Sequence, residues 1–268
     1  MQKTNHLKKA IGFASKIMDE PHEYENSYVA FLDILGFKEM VCKKSSQEIK
    51  TIYDEIRMVT TLFSDSDLYD EIIPRNIREN TKTTFLSDSI IINIPSNITS
   101  AFYGLVVICL YIQNKLIGLK KPILIRGAIC RGNCFRYYDM ETNALIIYGP
   151  CVNEAYKLQE NLAIYPRIII EDLLFDSEKK AFFGNDSAFL NTFIRKSDDG
   201  YWFLDYMKMR MILSEPRYET IKEFILSGLA QNDERILQKF RWMKDYYNNS
   251  LEVNKPIINT LRNESIIE

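Results

Sequence analysis

The chain has 268 residues, of which 46% are apolar, and this is enough for the core of one large globular domain or of a domain with a sizeable extension. Its 34 lysines and arginines nearly balance its 36 aspartates and glutamates without forming a basic stripe, so the sequence predicts no non-specific binding of nucleic acid. No membrane segment is expected, because the longest apolar run, residues 101–112, is shorter than the roughly 20 residues that span a bilayer. The lack of a signal-peptide pattern predicts a cytoplasmic protein, in which the cysteines would be reduced.

The predicted elements alternate between helix and strand over most of the chain. In order they are a helix at 3–19, a strand at 27–33, a helical stretch at 37–62 with a break at Ser45, a polar surface loop at 64–80, strands at 82–87 and 89–94, a helix at 98–118, strands at 122–132 and 145–148, a helix at 152–162 and a strand at 167–170. A helical patch at 171–175, an aromatic strand at 201–206 and helices at 216–229 and 232–250 follow. This order predicts an α+β fold, a ferredoxin-like βαββαβ core with an antiparallel sheet covered by helices on one face.

Two acidic residues lie at the ends of predicted strands. Asp33 ends the first strand just before a turn through Gly36, and Asp88 lies between the two arms of a hairpin. An aspartate at a strand end is most often a turn residue or a helix cap. If the two strands are neighbours, however, Asp33 and Asp88 face each other across a divalent metal, beside backbone N–H groups that can bind phosphate.

A third charged residue, Arg126, interrupts an otherwise apolar predicted strand. Because a buried guanidinium needs an anion, we expect Arg126 to point at one. The anion is either a phosphate or a structural carboxylate.

Four short motifs, taken together, resemble the class III nucleotidyl cyclases. They occur in the order of that family over residues 27–170, and they read Phe31-Leu32-Asp33-Ile34-Leu35-Gly36-Phe37, Ser87-Asp88, Arg126-Gly127-Ala128 and Val152-Asn153-Glu154-Ala155-Tyr156-Lys157. The resemblance implies a class III cyclase catalytic core at 26–172, between an N-terminal helical segment at 1–25 and a C-terminal, mostly helical elaboration at 173–268 that packs on the core.

The resemblance also implies a two-metal active site. Asp33, the carbonyl of Ile34 and Asp88 would hold two divalent cations, Mg²⁺ or Mn²⁺, one activating the ribose 3′-hydroxyl and one binding the triphosphate. Catalytic roles for Asp33, Asp88, Asn153 and Lys157 follow from the same motifs.

Substrate contacts are implied at further positions. The turn at Gly36 and Phe37 would donate N–H groups to the phosphates, which Arg126 would also contact, and Asn153 would orient the ribose. Family active sites lie between two subunits, so the resemblance implies a homodimer with composite sites. Asn153 could instead be a helix cap.

The sequence departs from the family at three positions. Lys157 replaces the transition-state arginine, so it either serves as a point charge or is assisted by another cation such as Arg167. Thr84 and Ile146 occupy the positions that read the base, and neither can recognise adenine in the usual way. With Phe31 nearby, such a pocket suits a small base better than a purine.

The run from Gly149 to Glu160 is closer to the pyrimidine cyclases of bacterial Pycsar antiphage systems. These enzymes convert UTP or CTP to a 3′,5′-cyclic monophosphate that activates a separate effector. The sequence leaves two alternatives open. One is an adenylate or guanylate cyclase with an unfamiliar base pocket, and the other is a non-catalytic dimer that senses nucleoside triphosphate.

Overall fold

The structure is a computed structural model that describes residues 23–65, 73–141, 143–181, 185–208, 218–253 and 267. The predicted N-terminal helix at 3–19 lies outside the described residues. Within them, no helix combines the length and the apolar character needed to cross a membrane.

Strands and helices alternate along the described chain. The strands are β1 (Glu25–Ile34), β2 (Lys82–Leu86), β3 (Ser89–Pro95), β4 (Ile125–Asp139), β5 (Ala144–Tyr148), β6 (Ile168–Ile170), β7 (Ile194–Lys196) and β8 (Trp202–Leu204). The helices are α1 (Phe37–Lys43), α2 (Ser46–Asp65), α3 (Arg75–Asn80), α4 (Ala101–Ile117), α5 (Pro150–Leu162), α6 (Asp172–Ala181), α7 (Asn185–Phe193), α8 (Tyr218–Leu229) and α9 (Glu234–Val253).

One sheet organises these elements. Its strand order is β2-β3-β1-β4-β6-β8-β7, with β5 paired to β4, and the predicted α+β class is confirmed. The sequence predicted an antiparallel sheet, but β4 and β6 run parallel to each other. The chain returns from β4 through β5 and the helix α5, and such a crossover is what parallel neighbours require.

Helices cover both faces of the sheet, whereas the sequence predicted one covered face. Alternate residues of β1 enter different clusters: Ala30 and Leu32 pack in the larger core with α4, while Val29 and Phe31 pack under α5. Because both sets are apolar, the middle of β1 is buried on both sides, as in a central strand.

The predicted break in the first helical stretch is confirmed at Ser45. Its hydroxyl accepts from the Glu48 backbone N–H (3.4 Å), and the Glu48 carboxylate accepts from the Ser45 N–H (2.9 Å). This reciprocal pair starts α2 and separates it from α1.

The predicted loop at 64–80 is wrong in its second half, where the chain forms α3. Ile77 of this short helix is fully buried against Gly104 of α4. A single buried residue anchors α3, so the segment shows no sustained helical period in the sequence. The elements α7 and β7 were also missed.

The β strands beyond β6 continue the same sheet. β8 pairs antiparallel with β6, and β7 pairs antiparallel with β8. The aromatic strand predicted at 201–206 is therefore part of the sheet, and Phe203 and Tyr206 are buried in the core as expected.

We expect Gly127→Ala to destabilise the fold by about 1–3 kcal/mol, because β1 and β4 approach closely at this position. A Cβ on Gly127 would lie 2.6 Å from Leu32 Cδ2 and 2.7 Å from the Phe31 carbonyl oxygen. The control is Gly132→Ala, whose Cβ would lie 3.3 Å from Cys151 Cβ and should cost less. Urea unfolding of both variants measures the difference, and equal stabilities would contradict the prediction.

Candidate functional site

Asp33 and Asp88 lie at the same edge of the sheet. Asp33 pairs with Ser89 at the last position of the β1–β3 ladder, and Asp88 is the residue just before Ser89. The N–H of Ile34 donates to the Asp88 carbonyl oxygen at 2.9 Å. The two strands are neighbours, as the metal hypothesis required.

A hydrogen bond from α2 constrains the hairpin turn that contains Asp88. Ser87 has a φ of 53°, in the left-handed region that serine rarely adopts. The Tyr53 hydroxyl of α2 donates to the Ser87 carbonyl oxygen. Burial, and then the Asp88 carboxylate, raise the pKa of Tyr53. Tyr53 therefore stays a hydrogen-bond donor and holds the turn.

Arg126 forms an ion pair with Asp33. The two residues are direct partners in the β1–β4 ladder, and Arg126 Nε lies 2.9 Å from Asp33 Oδ2. Only 22% of the arginine side chain and 17% of the aspartate side chain are exposed, so both charges are largely removed from water. The anion expected for Arg126 is thus, in this structure, Asp33.

The α5 helix and its C-terminal end hold the other sides of the guanidinium. Arg126 Nη1 donates to the Ala163 carbonyl oxygen at 3.5 Å. The Gln159 amide is oriented so that its oxygen faces the Arg126 donors, and this oxygen accepts hydrogen bonds from Nε (2.8 Å) and Nη2 (3.1 Å) of Arg126. Gln159 is buried, so these contacts fix the guanidinium direction.

The turn after β1 has the form expected for a phosphate-binding turn, although two of its amides are already in use. Gly36 adopts a φ of 77° and precedes α1. The N–H of Ile34 donates to Asp88, and that of Leu35 donates to the Leu124 carbonyl oxygen at 2.9 Å. The amides at the start of α1, beginning at Phe37, have no partner inside the helix. The Phe37 ring itself is buried against Tyr53.

Thr84 lies in a row with Phe31 across the sheet. Thr84 pairs with Ile91 of β3, and Ile91 pairs with Phe31 of β1. Directly paired antiparallel residues share one face, and Asp33 follows Phe31 by two positions on that same face. The Phe31 ring is 8% exposed and contacts Tyr156 of α5 edge to face, with ring centroids 5.4 Å apart.

Asn153 and Lys157 lie one turn apart on the outer side of α5. Both are exposed, whereas Val152 and Ala155 of the same helix are buried toward the sheet. Asn153 does not cap the helix, because the N-cap position is Gly149. Within one chain, these two side chains point away from the sheet that carries Asp33.

Ile146 lies on the hairpin formed by β4 and β5. It pairs with Tyr137 near the end of β4, and Arg126 lies near the start of that strand. The end of β4 curls back over the sheet, because Arg136 Nη1 donates to the Asn80 carbonyl oxygen at 3.1 Å and Ile147 packs against the cluster that contains Val29 and Phe31.

Arg167, considered as an assisting cation, is fully buried and already paired. Its guanidinium donates to both Asp199 carboxylate oxygens and to the Ser197 hydroxyl at 2.6 Å. Burial raises the pKa of Asp199, but the hydrogen bonds from Arg167 and Ser197 and the positive charge of Arg167 outweigh it and lower that pKa. Arg167 is a structural residue, and the expectation that it assists Lys157 has no support.

Three residues of the site were missed by sequence reasoning: Tyr53, Gln159 and Lys239. Tyr53 follows the apolar pattern of α2, and Gln159 reads as an ordinary polar helix residue, so neither carried a signal. Lys239 belongs to α9. Burial and then the positive charge of Arg126 lower the pKa of Lys239, whereas the Asp33 carboxylate raises it. Its proximity arises only from how α9 packs.

The donor set at this edge fits a hard divalent cation. Aspartate carboxylates and a backbone carbonyl are the oxygen ligands that Mg²⁺ and Mn²⁺ prefer, and Mg²⁺ usually completes its shell with water and phosphate oxygens. Among the described residues no group of three or more histidines, cysteines, aspartates or glutamates forms a self-sufficient metal cage. Asp33 and Asp88 therefore suit an ion that arrives with a phosphate.

No family model and no curated protein matches the chain. Among solved structures, it is similar to the guanylyl cyclase domain of the RhoGC fusion protein from the aquatic fungus Blastocladiella emersonii, with 15% identity over 69% of this chain and 98% of that one and a TM-score of 0.48. The adenylyl cyclase CyaB from P. aeruginosa has 15% identity over 68% and 94% and a TM-score of 0.47. A bacterial light-regulated adenylyl cyclase has 12% identity over 89% and 70% and a TM-score of 0.49.

We expect the Asp33–Arg126 pair to be strongly coupled energetically, because removing either partner leaves the other charge poorly hydrated. In a double-mutant cycle, Asp33→Ala and Arg126→Ala should show a coupling energy of about 1–3 kcal/mol by urea unfolding. The control pair is Glu39 and Lys43, with exposed fractions of 61% and 74%, for which the coupling should stay below about 0.5 kcal/mol. Additive effects at Asp33 and Arg126 would contradict a desolvated pair.

Proposed function

We propose that this protein is a metal-dependent nucleotidyl cyclase that converts UTP or CTP to the 3′,5′-cyclic monophosphate and pyrophosphate. The observation that carries the proposal is the convergence of Asp33, Asp88 and Arg126 at one sheet edge, beside the Gly36 turn. Together these groups offer oxygen ligands, a cation and backbone donors, which is what in-line phosphoryl chemistry needs.

Asp33, the Ile34 carbonyl and Asp88 are the proposed ligands of two divalent cations, Mg²⁺ or Mn²⁺. When bound, such ions acidify the ribose 3′-hydroxyl and neutralise triphosphate charge. The described residues supply these ligands from one strand end and one hairpin turn, which the Ile34 N–H bond to Asp88 locks together. The ligands are thus preorganised.

The chain's own donors then act on the phosphates. In the proposed reaction, the 3′-oxygen attacks the α-phosphate and pyrophosphate leaves, so negative charge accumulates on the leaving group. Arg126 and the amides at the start of α1 lie at the edge where this charge would develop. Asn153 would orient the ribose, and Lys157 would stabilise the transition state as a point charge.

The pyrimidine assignment rests on Thr84 and Ile146. Thr84 and Phe31 lie in one row on the same face of the sheet, so both side chains could line one base pocket. Neither a lysine nor an acidic residue stands at this position to read a purine. A hydroxyl and an aliphatic side chain leave room for a small base.

The homodimer proposal rests on the separation of the site residues within one chain. Ile146 lies on the β4–β5 hairpin, and Asn153 and Lys157 are exposed on α5. The hairpin also exposes Tyr138 (51%) and Met140 (83%), which are suited to contact a second copy. Two composite sites, each with metal ligands from one subunit and base and ribose contacts from the other, would use all of these residues.

The cellular role that we propose is cytoplasmic antiphage signalling. The run from Gly149 to Glu160, which includes the partly exposed Tyr156, supports this subtype. As in the systems that this run resembles, the cyclic pyrimidine nucleotide would act on a separate effector.

The purified protein should form cyclic UMP or cyclic CMP when incubated with each of the four nucleoside triphosphates and Mn²⁺, as resolved by mass spectrometry. Asp33→Ala and Asp88→Ala should each lower the rate at least roughly 100-fold, because each removes a proposed metal ligand. Asp54→Ala is the control, since Asp54 is an exposed partner of Lys50 on α2. Cyclic AMP or GMP as the main product would refute the base assignment. Triphosphate binding without any cyclic product would indicate a sensor.

Mixing two inactive variants should restore activity if the sites are composite. Asp33→Ala and Asn153→Ala disrupt different halves of each site, so a heterodimer would keep one intact site of two. Random exchange of subunits should therefore recover about a quarter of wild-type activity. Size-exclusion chromatography must show that both variants dimerise. Dimers that exchange subunits without any recovery would contradict the composite arrangement.

A further inference from the structure

The α9 helix places one lysine toward the sheet. Trp242 of α9 stacks on Tyr165 with ring centroids 5.3 Å apart and an interplanar angle of 7°, and Met243 is fully buried. Lys239 precedes these residues by three and four positions, so it lies on the same side of the helix. Its side chain is half-buried.

The segment that receives Trp242 also contacts Arg126. Tyr165 follows the end of α5 by a few residues, and the carbonyl of Ala163 in the same connection accepts from Arg126 Nη1 at 3.5 Å. The stacking of Trp242 on Tyr165 therefore brings this part of α9 close to the Asp33–Arg126 pair. Lys239, one turn before Trp242, is the residue at the junction.

Lys239 responds to both charges of the Asp33–Arg126 pair. Burial and then the Arg126 guanidinium lower the pKa of Lys239, the Asp33 and Asp233 carboxylates raise it, and Arg235 lowers it further. Asp33 is already hydrogen-bonded to Arg126 at 2.9 Å, so it cannot fully neutralise a second cation. Once a divalent cation pairs with Asp33, a polyphosphate could pair with both Arg126 and Lys239 in this partly desolvated place.

We propose that Lys239 binds the phosphate chain of the nucleotide, alongside Arg126 and in the same subunit as Asp33. The inference rests on the proposed function, because that function supplies the polyphosphate. A lysine suits this task because its ammonium is a point charge on a flexible stem and can follow the phosphates. The C-terminal helix α9 thereby becomes part of the active site.

The test measures binding and does not depend on turnover. Inorganic tripolyphosphate with Mg²⁺ is titrated into the full-length protein by calorimetry, with orthophosphate as the low-charge comparison. We expect Lys239→Ala to weaken tripolyphosphate binding roughly tenfold and orthophosphate binding by less than about twofold. Lys244→Ala, on another side of α9, is the matched control and should bind like wild type.

Two further variants separate a folding defect from a lost contact. Lys239→Gln keeps the length of the side chain without the charge and should match Lys239→Ala, whereas Lys239→Arg should retain binding within about threefold. Thermal unfolding should give equal midpoints for all four variants. If Lys239→Ala unfolds early, the glutamine variant decides.

The outcomes distinguish the inference from the proposed function. Suppose that the wild-type protein binds tripolyphosphate, that Arg126→Ala weakens this binding and that Lys239→Gln leaves it unchanged. This result would overturn the role of Lys239 and leave the cyclase proposal standing. No binding of tripolyphosphate by the wild-type protein would overturn both. Equal losses in Lys239→Gln and Lys244→Ala would reduce the effect to net charge and would also overturn the inference.

Discussion

The ion pair between Asp33 and Arg126 is the interaction on which the arrangement of the site depends. It connects β1 to β4 at a position where both charges are largely withdrawn from water. Gln159 and Ala163 bind the same guanidinium, so α5 and its end are fixed to the pair. The β1–β4 ladder already aligns the two strands. Because a largely buried charge tolerates few alternative partners, the ion pair then fixes the guanidinium direction and the place where α5 ends against it.

The ion pair also defines the charge state of the site before the nucleotide binds. Asp33 is paired with Arg126 in the absence of other ligands. A nucleotide that arrives with divalent cations offers each partner a replacement of the same sign: cations for Asp33 and phosphate oxygens for Arg126. The exchange keeps both charges neutralised throughout, and it avoids the cost of leaving a buried charge unpaired. A neutral residue at either position would lack this property.

Local patterns in the sequence were enough to predict most strands, the hairpin with Asp88 and the capped break at Ser45, because these depend on residues close together in the chain. They were not enough for contacts between distant segments. The short helix α3 is stabilised by one buried isoleucine against Gly104, and Arg167 reads as an available cation until its pairing with Asp199 is seen. Lys239 is the extreme case, because more than one hundred residues separate it from Arg126 along the chain. Such proximity follows from packing of α9 and leaves no local trace.

Substrate choice and dimerisation are linked by the placement of Thr84 and Ile146. Thr84 shares a sheet face with Asp33, whereas Ile146 lies on a hairpin at the opposite end of β4. The two residues nevertheless approach each other, because Arg136, the partner of Ile147, donates to the Asn80 carbonyl oxygen at 3.1 Å just before β2. Under the proposed function, Thr84 and Ile146 of one subunit contact the base beside the metal ligands of the other. The same hairpin exposes Tyr138 and Met140, which would bury their apolar surface on association. Under the proposed function, the contact that forms the dimer therefore also completes the base pocket, and a monomer would have metal ligands but no means of selecting a base.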